Sequence, residues 1–258
     1  MSDTLLSASI HLTDSILSSI YMGDFLKEKY QKKIVWAAWC ITYFLIQTIL
    51  FRLPENSFPA GEIVRPGLQV CVLLLLQLLF FERDMPKQFF AAFSFSAGKE
   101  IVKYIVSVFC FLLSELYSKI LNYLAVRETV KDFDGSSIWI MVYTVVIMTL
   151  CTLLYALLLS MYLRFISRKF VKKDYPLQTH ENVFLILPCA AALCISVILK
   201  MMTASTEHNR TILMYRTIPE LTFWIPVICI LLLCTIAASV ILFQKLVQYH
   251  EESQKRAM

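Results

Sequence analysis

The chain has 258 residues, of which 58% are apolar and 17% are charged, and its formal net charge is +5. A soluble domain has about 45–50% apolar and about 25% charged residues, so this chain has more apolar surface than a water-soluble core can bury. The same composition excludes disordered, collagen-like and nucleic-acid-binding proteins. It predicts an integral membrane protein.

The N-terminal stretch 5–22 is amphipathic, because polar residues that include His11 and Asp14 share one face of a helix. It is either a span whose polar face is turned into a bundle or a helix lying in the membrane interface. We favour the span, because interfacial helices usually have a basic polar face and this stretch contains neither Lys nor Arg.

Five later segments are apolar and close to the length of about 20 residues that a transmembrane helix needs. They are 34–51, 66–84, 138–163, 183–202 and 221–243. Trp36 and Trp39 lie near the lysine-rich end of the first of these, where interfacial anchors are expected. Pro66 suits the first position of the second helix.

The segment 88–126 is helix-prone but longer than a bilayer, and it contains Gly98, Lys99, Glu100 and Lys103. One helix spans at 88–113 with its charges near mid-depth, or 89–97 lies at the interface and 104–124 spans. Glu100 and Lys103 are three residues apart and can pair on one helix face. At mid-depth this pair would couple the two sides of the membrane or bind a polar ligand group; in the other register the charges lie at the inner headgroups.

The distribution of Lys and Arg predicts the orientation. With seven spans and the N-terminus outside, the cytoplasmic connections hold about twice as many Lys and Arg residues as the outer ones. We therefore expect an all-α polytopic bundle with seven spans, or six if the first helix is interfacial, and a cytoplasmic C-terminus. Residues 1–243 form the membrane domain and 244–258 a cytoplasmic linker helix.

The residues that carry chemistry are few. All eight cysteines lie in apolar runs, which is typical of free packing cysteines, and neither a C-x-x-C motif nor a Cys/His cluster is present. Motifs for nucleophilic catalysis, phosphate binding and metal binding are also missing from the sequence. We expect no enzyme activity, no metal and no cofactor in this chain.

Residues 244–256 read QKLVQYHEESQKR, with Leu242, Leu246 and Tyr249 at a/d-like spacing. This tail resembles the linker helix below the membrane domain of accessory-gene-regulator (Agr) type GHKL sensor histidine kinases, which are bacterial receptors for peptide pheromones. The N-terminal half is similar too, with a basic loop FLKEKYQKK at 25–33, an outer loop with prolines, a Leu-rich span and a Glu-Ile-Val step at 100–102. The resemblance covers the whole chain, but the chain has no phospho-acceptor or ATP-binding box, so it implies the sensor half alone.

The resemblance implies a homodimeric sensor in the lipid of a bacterial cytoplasmic membrane. It would bind an extracellular peptide pheromone of the thiolactone type and relay the signal through its tail helix to a kinase module. Outer helix ends carry aromatic and polar residues suited to such a ligand, namely Arg65, Trp139, Glu220 and Trp224.

Each of these four residues also has an ordinary role, since tryptophans anchor helices at the interface and arginine extends towards the headgroups. The polar face of His11 and Asp14 is the next place for a ligand. Two other functions remain open. One is a small transporter or transporter subunit, favoured if the charges at depth line a pathway; the other is an accessory protein that binds only other membrane proteins.

Overall fold

The computed structural model describes residues 2–52, 61–126, 136–169, 179–204 and 220–257, and only the backbone at several helix ends. These residues form seven α-helices and, within the described ranges, no β-strand beyond an isolated bridge between Glu28 and Phe81. The helices are α1 (Ser2–Phe25), α2 (Lys32–Arg52), α3 (Gly61–Phe80), α4 (Met85–Val126), α5 (Ser136–Lys169), α6 (Thr179–Ala204) and α7 (Leu221–Ala257).

Four of the helices, α4 to α7, are long and apolar enough to cross a membrane, and α3 contains a shorter apolar helix, Arg65–Phe80. Large aliphatic side chains cover the outside of the protein, and Ile41, Leu79, Leu153 and Leu187 are largely exposed. A soluble monomer rarely exposes so extensive an apolar surface. The chain is therefore an all-helical, multi-pass membrane protein.

The helices form a ring around α4. Contacts between neighbouring helices follow the order α1, α5, α7, α6, α3, α2 and back to α1. The central helix α4 packs against α1, α3, α5, α6 and α7. Residues buried on α4, including Phe90, Phe95 and Ile101, form the middle of the core. Side chains on the inward faces of the ring therefore meet at α4.

The helix α4 is continuous through Gly98, so an interfacial segment that ends at this glycine is not present. Gly98 lies where α4 and α5 approach closely, and a Cβ atom at this position would overlap the ring of Tyr162. The Tyr162 hydroxyl donates a hydrogen bond of 3.1 Å to the carbonyl oxygen of Ser94. The glycine thus permits close helix packing and does not end a helix.

Two further expectations from the sequence are wrong. The helix α3 begins at Gly61, so Pro66 lies inside it and is not its first residue. Trp39 is fully buried, and its indole N–H donates a hydrogen bond of 2.9 Å to Ser18 Oγ on α1. It is therefore a core residue and not an interfacial anchor, because it lies on the face of α2 that packs against α1. Trp36, in contrast, is exposed.

The expectation that all cysteines are free is wrong for one pair. Cys110 on α4 and Cys151 on α5 are joined by a disulfide, with their Cα atoms 6.4 Å apart. The other six cysteines are free. The last helix, α7, runs without a break from the membrane into the tail, across the boundary expected near residue 243.

Candidate functional site

Polar residues of α1 face the centre of the bundle. Asp14, Ser15 and Ser18 are buried, whereas Leu12 and Ile20 on the opposite face are exposed. The polar face of α1 is therefore turned into the bundle, because residues three and four apart share one helix face. The packing of α1 against α2, α4 and α5 brings that face to the middle of the molecule.

The centre of this face is an ion pair between α1 and α4. The Lys99 ammonium lies 2.6 Å from Asp14 Oδ2, and both side chains are at most 1% exposed. A single buried charge in an apolar medium costs several kcal/mol, about 2.5–3.5 kcal/mol at a helix centre on insertion scales. Each charge therefore makes the other tolerable, and removal of either one would leave its partner buried without a counter-ion.

Side chains from three more helices complete the site. The Tyr155 hydroxyl on α5 donates a hydrogen bond of 2.5 Å to Asp14 Oδ1, and Lys99 donates one of 3.5 Å to Gln47 Oε1 on α2. The amide of Gln69 on α3 donates a bond of 3.3 Å to the same oxygen. We call these five residues, Asp14, Gln47, Gln69, Lys99 and Tyr155, the polar cluster. It joins α1, α2, α3, α4 and α5.

Some buried polar atoms in and beside the polar cluster have no hydrogen-bond partner among the described residues. Tyr43 is fully buried on α2, one turn from Gln47, and its hydroxyl is one of these atoms. Gln47 Nε2 and Gln69 Oε1 are two others. Buried polar groups are normally paired with protein atoms or with ordered water. The polar surroundings of the ion pair therefore extend beyond the five residues of the cluster.

A second ion pair lies on α4 itself. Lys103 Nζ is 3.4 Å from Glu100 Oε1, with Glu100 2% exposed and Lys103 38% exposed. The sequence predicted this i, i+3 pair. It missed the pairing of Lys99 with Asp14, although two opposite charges in separate apolar helices are a signal that they meet. His11 lies one turn from Asp14 on α1 and within electrostatic reach of Lys99 and Lys103.

Of the four residues expected at a peptide site, three lie on three different helices, and Glu220 directly precedes α7. Arg65 is partly buried on α3, Glu220 is exposed before α7, and Trp224 in the first turn of α7 is 54% exposed. Trp139 belongs to α5, but its side chain lies outside the described part. The ring places α6 between α3 and α7, so Arg65 and Trp224 belong to non-adjacent helices. Trp224 contacts Phe223, with ring centroids 5.6 Å apart.

The arrangement is suited to conformational coupling. Among the described residues, no group of three or more His, Cys, Asp or Glu side chains is suited to hold a metal ion. A buried ion pair between two helices can instead favour one helix arrangement over another, because each charge is tolerated only beside its partner. No protein-family model matches the chain, and neither a curated protein nor a solved structure matches it significantly.

Proposed function

We propose that the chain is a membrane sensor domain that detects an extracellular signal and transmits it through α7. The observation that carries this proposal is the continuity of α7, which has 37 residues and is therefore about 55 Å long. A bilayer core is only about 30 Å thick, so one rigid element can reach from the outer membrane boundary into the cytoplasm. A displacement of the outer end of α7 would therefore move its tail as well.

The proposed topology has seven spans with the N-terminus outside. The loop after α1 and the loop after α3 are hydrogen-bonded to each other, from Lys29 N to the Phe80 oxygen at 3.1 Å and from Glu82 N to the Lys27 oxygen at 2.8 Å. Ser167 near the end of α5 donates a bond of 2.9 Å to Asp24 near the end of α1. These basic segments share one end of the bundle, which the charge bias assigns to the cytoplasm.

The tail of α7 has two distinct faces. Phe243 and Val247 are buried against the bundle, whereas Leu242, Leu246 and Tyr249 are exposed. The exposed residues follow the spacing of a coiled-coil seam, which we define as the tail stripe. In this proposal the tail stripe pairs with that of a second copy, and the buried face links the pairing to helix packing in the membrane.

By the resemblance to Agr-type sensors, the signal is a thiolactone-type peptide and the membrane is that of a bacterial cell. Its contact residues would be Arg65, Trp139, Glu220 and Trp224 at the outer helix ends. Trp224 supports this part of the proposal, because it is exposed at the start of the same helix that forms the tail. By the same resemblance, the kinase step would belong to a catalytic module that receives the signal from the tail of α7.

A chimaera tests the proposed function. The chain is joined in heptad register to the catalytic half of an Agr-type histidine kinase, and kinase output is measured with synthetic thiolactone peptides. We expect a peptide response that Trp224→Ala weakens and that Phe223→Ala, a matched exposed aromatic, changes less. Inserting two residues after Tyr249 should abolish it, whereas inserting seven should preserve it, because only the latter keeps the seam in register. A chimaera that responds to no peptide contradicts the assigned signal.

A small transporter is the second candidate, and the ion pair of Asp14 and Lys99 is the observation that favours it. Intramembrane charge pairs also occur on ion and proton pathways. A transporter should tolerate deletion of residues 250–258, and proteoliposomes that contain it should show solute flux that the double variant Asp14→Leu with Lys99→Met abolishes. Flux that survives the deletion would replace the sensor proposal.

A further inference from the structure

An apolar groove of about 670 Å³ runs between α3, α4 and α6. Its walls include Gly67 and Leu74 of α3, Phe89 and Phe93 of α4, and Leu193 of α6. The volume lies in the range of about 300–1,000 Å³ that is typical of ligand sites. None of the polar-cluster residues lines the groove, so it is a separate feature of the bundle.

The groove is open to the surrounding membrane. Its walls include two free, exposed cysteines, Cys71 on α3 and Cys194 on α6. The groove has open space beside Gly67, because a Cβ atom added at this position would meet no atom within 4 Å. In a bilayer, a space of this kind is filled by hydrocarbon, because water molecules against its apolar walls would lose hydrogen bonds to other water.

One end of the groove face on α4 is polar. Phe89 and Phe93 line the groove. By helical spacing the same face of α4 continues beyond the lining through Ser96, Glu100 and Lys103. Ser96 is buried, and within the described residues its hydroxyl has no hydrogen-bond partner. Lys103 is 38% exposed, and its ammonium donates a hydrogen bond to Glu100. This bond uses one of the three N–H donors of the Lys103 ammonium.

The position of Lys103 along α4 fits the level of lipid phosphates. It follows the first residue of α4, Met85, by 18 residues, which corresponds to about 27 Å along the helix. The hydrocarbon core is about 30 Å thick, so with Met85 at one interface Lys103 comes close to the other. This holds whichever end of the bundle faces the cytoplasm. A cation at this level, above an apolar groove, complements an anionic amphiphile.

We propose that the groove holds one acyl chain of an anionic glycerophospholipid from the surrounding membrane, with its phosphate bound by Lys103. The chain extends along Phe93 and Phe89, between α3 and α6. The remaining ammonium donors of Lys103 bind phosphate oxygens while Glu100 keeps its own contact. The proposal is independent of the sensor function, because it depends only on the groove and on Lys103.

Photocrosslinking of the full chain tests this site. The protein is reconstituted in phosphatidylcholine bilayers that contain a trace of phospholipid with a diazirine in its acyl chain, with either a phosphatidylglycerol or a phosphatidylcholine headgroup. Adducts are mapped by mass spectrometry after illumination. We expect the phosphatidylglycerol probe to label the groove walls several-fold more than the phosphatidylcholine probe, and more than the lipid-facing side of α5.

Four variants separate the headgroup contact from the groove. Lys103→Gln should remove the preference for the anionic probe, whereas Lys103→Arg should keep it, as should Lys119→Gln further along the same helix. Gly67→Leu fills the groove and should lower groove adducts of both probes several-fold. Thermal unfolding of each variant in detergent verifies that the bundle is intact, and Lys103→Arg keeps the test valid if Lys103→Gln fails to fold.

Two results would overturn the proposal. Adducts spread evenly over all lipid-facing helices, with no headgroup preference, would show only the general lipid layer around the protein. Efficient formation of a Cys71 disulfide between two copies in the membrane, with loss of lipid adducts, would show that a second copy covers the groove.

Discussion

At the scale of residues, the pair of Asp14 and Lys99 places two opposite charges inside the bundle. Both charges are at most 1% exposed, so neither can be rescued by water if its partner is removed. Breaking a buried ion pair by removing one partner typically costs about 3–5 kcal/mol, whereas replacing both partners by apolar residues is often neutral. The pair of Glu100 and Lys103 is less critical, because Lys103 is partly exposed.

We therefore expect Asp14→Asn and Lys99→Met each to lower the thermal midpoint of the detergent-solubilised protein strongly. The double variant Asp14→Leu with Lys99→Met should recover most of the loss. Fluorescence-detected size-exclusion chromatography after heating measures these midpoints. Lys119→Met, which removes an exposed lysine from the same helix, is the control. Single variants as stable as the wild type would show that the pair is not formed in the membrane.

At the scale of helices, α4 and α5 depend on a close approach at Gly98. A methyl group there would overlap the Tyr162 ring, and added volume in a packed core typically costs about 1–3 kcal/mol. Gly98→Ala should therefore lower the thermal midpoint and reduce the yield of folded protein. The double variant Gly98→Ala with Tyr162→Leu should recover part of the stability, because leucine at position 162 is smaller than tyrosine and leaves room for the methyl group. Gly67→Ala is the control, because its Cβ atom meets no neighbour. Equal stability of Gly98→Ala and Gly67→Ala would contradict the close packing.

The tail stripe of α7 predicts a contact between two copies of the chain. In a version without native cysteines, Leu246→Cys on the tail stripe should form a disulfide between two copies in membranes under mild oxidation. Lys245→Cys, also exposed but outside the a/d-like positions, should crosslink less. Non-reducing electrophoresis distinguishes the two. Crosslinking that is equal at both positions would argue for random collision and against a coiled-coil seam.

At the scale of the whole molecule, orientation is the property to measure. Ser57→Cys and Ser167→Cys, each in a version without native cysteines, should label oppositely with a membrane-impermeant thiol reagent in intact cells. Ser57, which lies outside the described residues, should react from outside, and Ser167 only after permeabilisation. Ser167 shares its end of the bundle with the basic loops after α1 and α3. Equal labelling in intact cells would refute the orientation.

The hydropathy of the sequence was enough to predict a helical membrane protein, because a bilayer leaves few alternatives for long apolar segments. It was not enough to predict which faces meet. Asp14 and Lys99 are far apart in the chain, and only the ring around α4 brings them together. The position of Trp39 near Lys32 and Lys33 predicted an interfacial anchor. Trp39 is buried instead, because it lies on the face of α2 that packs against α1. Helix neighbours arise from three-dimensional packing, which spacing along the chain does not encode.

The central place of α4 also affects the order in which the protein is made. The helix that carries Lys99 leaves the ribosome after α1, α2 and α3, so Asp14 is synthesised before its partner exists. An unpaired acid in an apolar helix resists insertion into a membrane. We therefore expect chains that stop before Lys99 to insert α1 less stably than chains that include α4.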